Sequence, residues 1–168
     1  LKLGKGDQSA ETQVEALLQA FIAARNEQRQ IFVFGNGGSA SSASHMANDF
    51  SKQRFEDEKY LFRVMSLNDN VSCMTATAND FGYEYVFVNQ LKTLMRPGDV
   101  VVGISSSGNS PNITRAIEYA NEKGALTFGI IGFNGGELKK CAHNSVYIPT
   151  KVGQYGYMED VTLIINHM

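Results

Sequence analysis

Cysteine is nearly absent from the chain. Cys73 and Cys141 stand far apart and outside any Cys-x-x-Cys spacing, so neither a disulfide framework nor a thiolate zinc site is expected. Charge of either sign is also sparse. Fifteen Lys and Arg against 17 Asp and Glu leave a formal net charge of −2, without the cationic excess that polyanion binding requires, and nucleic acid is disfavoured as a partner. Long hydrophobic runs are missing too. The stretches Asp99–Ile104 and Leu126–Ile131 fall far short of the roughly 18 residues of a membrane span, and no basic-then-apolar leader opens the sequence. The expectation is a cytoplasmic protein with no membrane partner. Repeats, low-complexity tracts and long linkers do not occur, so residues 1–168 are expected to form a single domain. The opening Leu1–Asp7 has no pattern and an apolar helical run reaches Met168 without a stop signal, which suggests a domain trimmed at one or both termini.

What is present is an alternation of short β-branched runs with longer helical patterns, the signature of βαβ units and a parallel sheet covered on both faces. Five strands are expected, at Ile31–Phe34, Leu61–Leu67, Val100–Ile104, Leu126–Ile131 and Ser145–Ile148. Helices are expected over Ser9–Gln28, Ser39–Ser51, Val71–Ala78, Tyr85–Met95, Asn112–Lys123 and Met158–Met168. Ser9 can cap the first of them, and Gly124 sits where a C-terminal cap belongs after the fifth. The fold class is therefore α/β, a single-domain three-layer α/β/α sandwich on a five-stranded parallel sheet.

Open parallel sheets bind ligands outside the carboxyl ends of their strands, near the point where strand order reverses. Two unusual segments run from strand to helix there. The first is Gly35-Asn36-Gly37-Gly38-Ser39-Ala40-Ser41-Ser42, and the second is Gly103-Ile104-Ser105-Ser106-Ser107-Gly108-Asn109-Ser110. Glycines permit positive φ and close backbone approach, while free N–H groups at a helix start and seryl hydroxyls donate to an anion without adding charge. One such turn alone is most simply a tight turn with an N-cap; two in one domain point to a phosphomonoester. Neither is a nucleotide motif, because no Lys follows for GxxxxGK[ST] and the third Gly of GxGxxG is missing. Ser107 also spoils a GxSxG elbow around Ser105. No nucleotide or redox cofactor is expected.

Acid–base groups lie on two of the helices. His45 and Asp49, four apart, project from one face of the helix launched by the first loop. Glu159 and His167, eight apart, share a broad face of the last helix. Two imidazoles and two carboxylates suit a general acid–base pair or a zinc site of His and carboxylate ligands. Taken singly, a helical His is more often a hydrogen-bonded structural residue, and His143 in its turn is read that way.

The two loops, with Asn79-Asp80-Phe81-Gly82 between them, resemble the sugar isomerase (SIS) domain and, within it, the phosphoheptose isomerases, from about the first helix to Met168. The resemblance implies the flavodoxin-like SIS fold and conversion of sedoheptulose 7-phosphate to D-glycero-D-manno-heptose 7-phosphate, for lipopolysaccharide or capsule heptose. It implies that Ser105, Ser106, Ser107 and Ser110 hold the phosphate and that Asn36, Gly37, Gly38, Ser39, Asn79 and Asp80 line the sugar. The family's catalytic Glu and His match Asp49 and His167, and with His45 and Glu159 these match a set that binds zinc in some members. Glu159, where the family carries Gln, also falls at a substrate position. A homotetramer with active sites shared between subunits is implied as well. Three departures stand out. Asp49 is one methylene shorter than Glu, Glu159 makes a metal site more anionic, and Ala40-Ser41-Ser42 replaces a more functionalised stretch. Two other readings remain open: an isomerase of another sugar phosphate, and a non-catalytic SIS module serving as phosphosugar sensor or protein-binding scaffold.

Overall fold

Residues 9–52 and 61–168 are described by the computed structural model; the patternless opening segment Leu1–Asp7 lies outside them. Five parallel strands, β1 (Gln30–Gly35), β2 (Arg63–Ser66), β3 (Val100–Ser105), β4 (Leu126–Ile131) and β5 (Asn144–Tyr147), form one sheet in the order β2-β1-β3-β4-β5. This is the flavodoxin-like order, and its direction of winding reverses between β1 and β3. Those two strands pair in register from Ile31↔Val100 to Gly35↔Ile104, so both of the segments singled out by sequence leave the sheet side by side.

Among the described residues seven α-helices accompany the strands: α1 (Ala10–Asn26), α2 (Gly38–Ser51), α3 (Val71–Asp80), α4 (Val88–Leu94), α5 (Pro111–Glu122), α6 (Leu138–Cys141) and α7 (Tyr155–His167). Side-chain alternation along the strands divides the core in two. Ile31, Val33, Val100, Val102 and Ile104 face Leu17, Phe21, Met46 and Met158 from α1, α2 and α7. Phe32, Phe34, Val101 and Ile131 face Leu91, Ile113, Ile117 and Leu138 from α4, α5 and α6. Each such fully buried large side chain is worth roughly 1.5–3 kcal/mol over its exposed state, and together they hold the strand ends, hence the loops, at fixed positions. Ser9 caps α1 as expected, its hydroxyl accepting from the Thr12 N–H at 3.4 Å.

The differences from expectation are local. The segment expected as one helix over Tyr85–Met95 starts as a 3-10 turn, Tyr83–Tyr85, after Gly82 and becomes helical only at Val88. β2 is shorter than Leu61–Leu67. The last helix begins at Tyr155, three residues before Met158, and the four-residue α6 escapes notice because one turn has no period to read. His143 is structural: its Nδ1 lies 3.1 Å from the Thr127 hydroxyl and accepts the Thr127 N–H at 3.3 Å, tying the start of β5 to β4.

Candidate active site

α2 organises the site. Its sheet-facing side is Ser39, Ser42, Ala43, Met46 and Ala47, all buried, which leaves Gly38, His45 and Asp49 toward α7, Ser41 and Asn48 toward solvent, and Ser44 toward the end of β2, where its hydroxyl donates to Asp69 Oδ1 at 2.5 Å. α7 docks beside it by burying Met158 and Thr162, and this turns Glu159, Asn166 and His167 toward α2, where Asn166 Nδ2 donates to the Ser42 carbonyl at 3.3 Å.

At the N-terminal end of α2 the two strand-to-helix loops enclose a cavity of about 350 Å³ lined by Asn36, Gly37, Gly38, Ser39, Ser105, Ser106, Ser107, Ser110 and Glu159, with Ile104, Ile113 and Tyr155. The seryl loop is built from its own hydroxyls. Ser105 Oγ accepts the Gly108 N–H at 3.1 Å, Ser107 Oγ accepts the Asn109 N–H at 3.2 Å, and the Ser110 carbonyl receives the Ile113 N–H at 3.0 Å as α5 begins. Gly108 has φ +66°, and a Cβ there would collide with the backbone at Gly135, so only glycine lets this loop nest against the segment after β4. Two helix N-termini, of α2 and α5, open toward the cavity with no acidic residue in either first turn. The carboxylate of Glu159 lies over Gly38, where any side chain would overlap it.

Two turns along α2 the chemistry changes. His45 Nε2 lies 2.9 Å from His167 Nε2 and 3.0 Å from Asp49 Oδ2, and His167 Nε2 is 3.4 Å from the same oxygen. Lys52 Nζ holds the other oxygen, Oδ1, at 2.5 Å. The Lys52 hydrogen bond keeps the Asp49 carboxyl below its ordinary value of 3.8, with His45, Lys52 and His167 adding their charges and partial burial opposing them. Among the described residues His45, Asp49 and His167 form the one group able to converge on a metal ion. The donor set fits zinc: two imidazole nitrogens and a carboxylate oxygen are its ordinary ligands, and separations of 2.9, 3.0 and 3.4 Å bracket the roughly 3.3 Å edge of a tetrahedron with bonds of about 2.0–2.1 Å.

The structure thus brings together the expected residues in two groups, Asn36, Gly37, Gly38, Ser39, the four serines and Glu159 in one, His45, Asp49 and His167 in the other. Glu159 sits with the first group rather than with the metal-capable one. Asn79 and Asp80, at the end of α3, are exposed, hydrogen-bonded to each other at 2.8 Å, and line neither this cavity nor a second one of about 780 Å³. That second cavity is bounded by Asn36 and Gly37, by Ser41, Ser44, His45 and Asn48 of α2, and by Asn68, Val71, Met74, Thr75, Ala78 and Tyr83. Sequence reasoning missed Lys52, Asn112 and Tyr83. Lys52 had a readable signal, three residues after Asp49 on the same helix; the other two are joined to the site only by tertiary contacts.

A family profile described as the SIS domain matches residues 3–132, more than three quarters of the chain. The chain belongs to the SIS family. The phosphoheptose isomerase of a Nitratiruptor species is 36% identical over 147 residues, 88% of this chain and 77% of that protein. The phosphoheptose isomerase of Nitratidesulfovibrio vulgaris is 46% identical over 132 residues, 78% of this chain and 62% of that one. These relatives place the SIS-domain chain among the phosphoheptose isomerases. A solved phosphoheptose isomerase from Francisella tularensis, 23% identical, shares the fold with a TM-score of 0.85 over 93% of this chain and 82% of its own. Among the described residues no helix is long and apolar enough to cross a membrane.

Proposed function

We propose that this SIS-domain chain is an aldose–ketose isomerase that interconverts sedoheptulose 7-phosphate and D-glycero-D-manno-heptose 7-phosphate in the cytoplasm. The observation that carries the reading is that one helix, α2, starts at the hydroxyl-lined anion cavity and bears on its later turns the carboxylate–imidazole cluster that proton transfer needs.

Ser105, Ser106, Ser107 and Ser110, with the N–H groups at the starts of α2 and α5, bind the phosphate of the open-chain ketose. Gly37, Gly38, Ser39 and Asn36 line the beginning of the sugar, and Glu159 faces the same space. The Asp49 carboxylate removes the proton from the hydroxymethyl carbon beside the carbonyl, giving an enediol as the carbonyl oxygen takes a proton from His167. His167 then takes the proton of the other enediol oxygen and the protonated Asp49 carboxyl reprotonates the neighbouring carbon, which yields the aldose and restores both groups; no electron leaves the substrate, so no redox cofactor enters. His45, Asp49 and His167 would hold zinc, which when bound supplies a Lewis acid beside the substrate's oxygens. Lys52 keeps Asp49 ionised and its Oδ2 turned to the two imidazoles.

A homotetramer with sites completed across subunit boundaries is part of the proposal. It is supported by an apolar groove of about 520 Å³ along α1 and α7, where Leu18 and Ile164 are exposed.

The test is an NMR assay in D₂O over a panel of ketose and aldose phosphates, with and without added zinc. Conversion of sedoheptulose 7-phosphate with solvent deuterium appearing at the aldose C2 is expected. Conversion of a different sugar phosphate alone overturns the substrate, and tight binding without any conversion overturns catalysis in favour of a sensor or scaffold.

A further inference from the structure

The 350 Å³ seryl cavity and the 780 Å³ cavity containing His45 share two residues, Asn36 and Gly37. A substrate held by its phosphate in the first and reacting near His45 in the second must pass Asn36. That side chain is not loose. Asn36 Nδ2 donates to Asn112 Oδ1 at 3.0 Å, Asn112 Nδ2 returns a bond to Asn36 Oδ1 at 2.9 Å, and the Tyr83 hydroxyl donates to the same Oδ1 at 2.9 Å. Asn112, on the first turn of α5 just past the seryl loop, is 2% exposed, so its amide is fixed by its surroundings. Tyr83 comes from the 3-10 turn after α3 and, at 53% exposed, presents its ring to the larger cavity beside Val71, Met74 and Ala78. The backbone is clamped equally firmly, since Asn68 exchanges bonds of 3.1 and 2.9 Å with the N–H and carbonyl of Gly35.

The donor arithmetic leaves a defined remainder. The three bonds use one of the two N–H groups of Asn36 Nδ2 and the single proton of Tyr83, so one N–H of Asn36 and the lone pairs of the Tyr83 oxygen stay available. The free Asn36 N–H points away from the Oδ1 that Tyr83 holds, so the two serve different groups of a ligand: the Tyr83 oxygen is an acceptor for one alcohol O–H in the larger cavity, and the Asn36 N–H is a donor to a second oxygen.

We propose that Tyr83, acting with Asn36 at the junction of the two cavities, is a specificity-determining residue that reads a hydroxyl in the middle of an acyclic sugar phosphate. The inference rests on the phosphosugar reading of the site. It makes affinity depend on chain length: a ligand confined to the seryl cavity never reaches Tyr83, whereas one long enough to cross the junction does. The larger cavity is lined both by polar groups, Ser41, Ser44, Asn48 and Asn68, and by the apolar Val71, Met74 and Ala78, which suits a chain carrying both C–H and O–H groups.

The experiment uses Tyr83→Phe, which removes one oxygen from a half-exposed residue and keeps the ring. Calorimetric titration of the intact wild-type and variant proteins with inorganic phosphate, ribulose 5-phosphate and sedoheptulose 7-phosphate reads the dependence on length. The expected result is a loss of about 3- to 10-fold in affinity for the seven-carbon ligand, the scale of one hydrogen bond between neutral groups, with inorganic phosphate unchanged and the five-carbon ligand in between. In turnover the same variant raises KM for the seven-carbon substrate more than it lowers kcat. Equal weakening of all three ligands, or no weakening of the longest, overturns the proposal. Length-dependent loss of affinity in a protein that turns over no substrate supports it and overturns the isomerisation alone.

Discussion

The two halves of α2 hold different kinds of chemistry. Around its first turn the polar groups are hydroxyls, amides and backbone N–H, with Ser105 and Ser106 buried and Glu159 the one formal charge in the cavity lining among the described residues. Around its third turn the groups are ionic and more open, with Asp49 gripped between Lys52 and two imidazoles. The difference teaches that capture and proton transfer place opposite demands on the fold. A dianion is held by many fixed neutral donors in a pre-shaped loop, at little expense in desolvated charge. Moving a proton needs titratable groups close enough to couple, and side chains on two packed helices supply that.

Mutations separate these halves. Asp49→Asn is expected to reduce isomerase turnover by about 10²- to 10⁴-fold, the range for a lost general base, while inorganic phosphate still binds in calorimetry. A fall in phosphate affinity of similar size would erase the distinction between the two halves. Ser110→Ala should do the reverse, raising KM by roughly 10- to 100-fold, as for one hydrogen bond to a charged group, with a smaller change in kcat. Gly38→Ala lies between them: its methyl must push the Glu159 carboxylate aside, but that is the free end of a flexible, partly exposed side chain, so a change in Tm of no more than a few degrees is expected, with sugar-phosphate affinity altered more than stability.

A smaller effect distinguishes the charged half. A carboxyl whose folded-state pKa is depressed contributes stability above its unfolded value, near 3.8, and loses that contribution as the pH falls through the folded value. Lys52→Met removes the main cause of the depression, so the variant should be less stable than wild type at pH 6, with the gap closing as the pH drops below 4. Lys52 is largely exposed, hence the gap should also shrink in high salt, and urea titrations across pH and ionic strength check both. Smallest of all, burial pushes the Cys141 thiol up to about 11, so alkylation at pH 8 should label it slowly by mass spectrometry and leave activity intact.

Much of this architecture is legible in residues 1–168 because it rests on local pattern. Five β-branched runs sit between helical periods, and in a parallel sheet the loops after β1 and β3 must emerge on the same edge. The Ser and Gly content of those loops then points to the anion site proposed for the cavity between them. What stays hidden depends on contacts distant in sequence. Nothing near Asn36 announces that Tyr83 and Asn112, 47 and 76 positions away, share its side chain. Likewise the spacing of Glu159 and His167 allows both on one helix face but leaves unsaid that α7 lies along α2, so that Glu159 meets Gly38 while His167 meets His45.

Because a single α-helix joins the anion loop to the His45–Asp49 pair, the interval between them is set by hydrogen-bonded backbone. From Gly38 to His45 is seven residues, roughly 10 Å of rise and close to two full turns, so both ends present the same azimuth. α2 thereby works as a ruler. Inserting one residue within it would advance the imidazole by about 1.5 Å and swing it through some 100°, out of line with the seryl cavity, even though every side chain named above was still present.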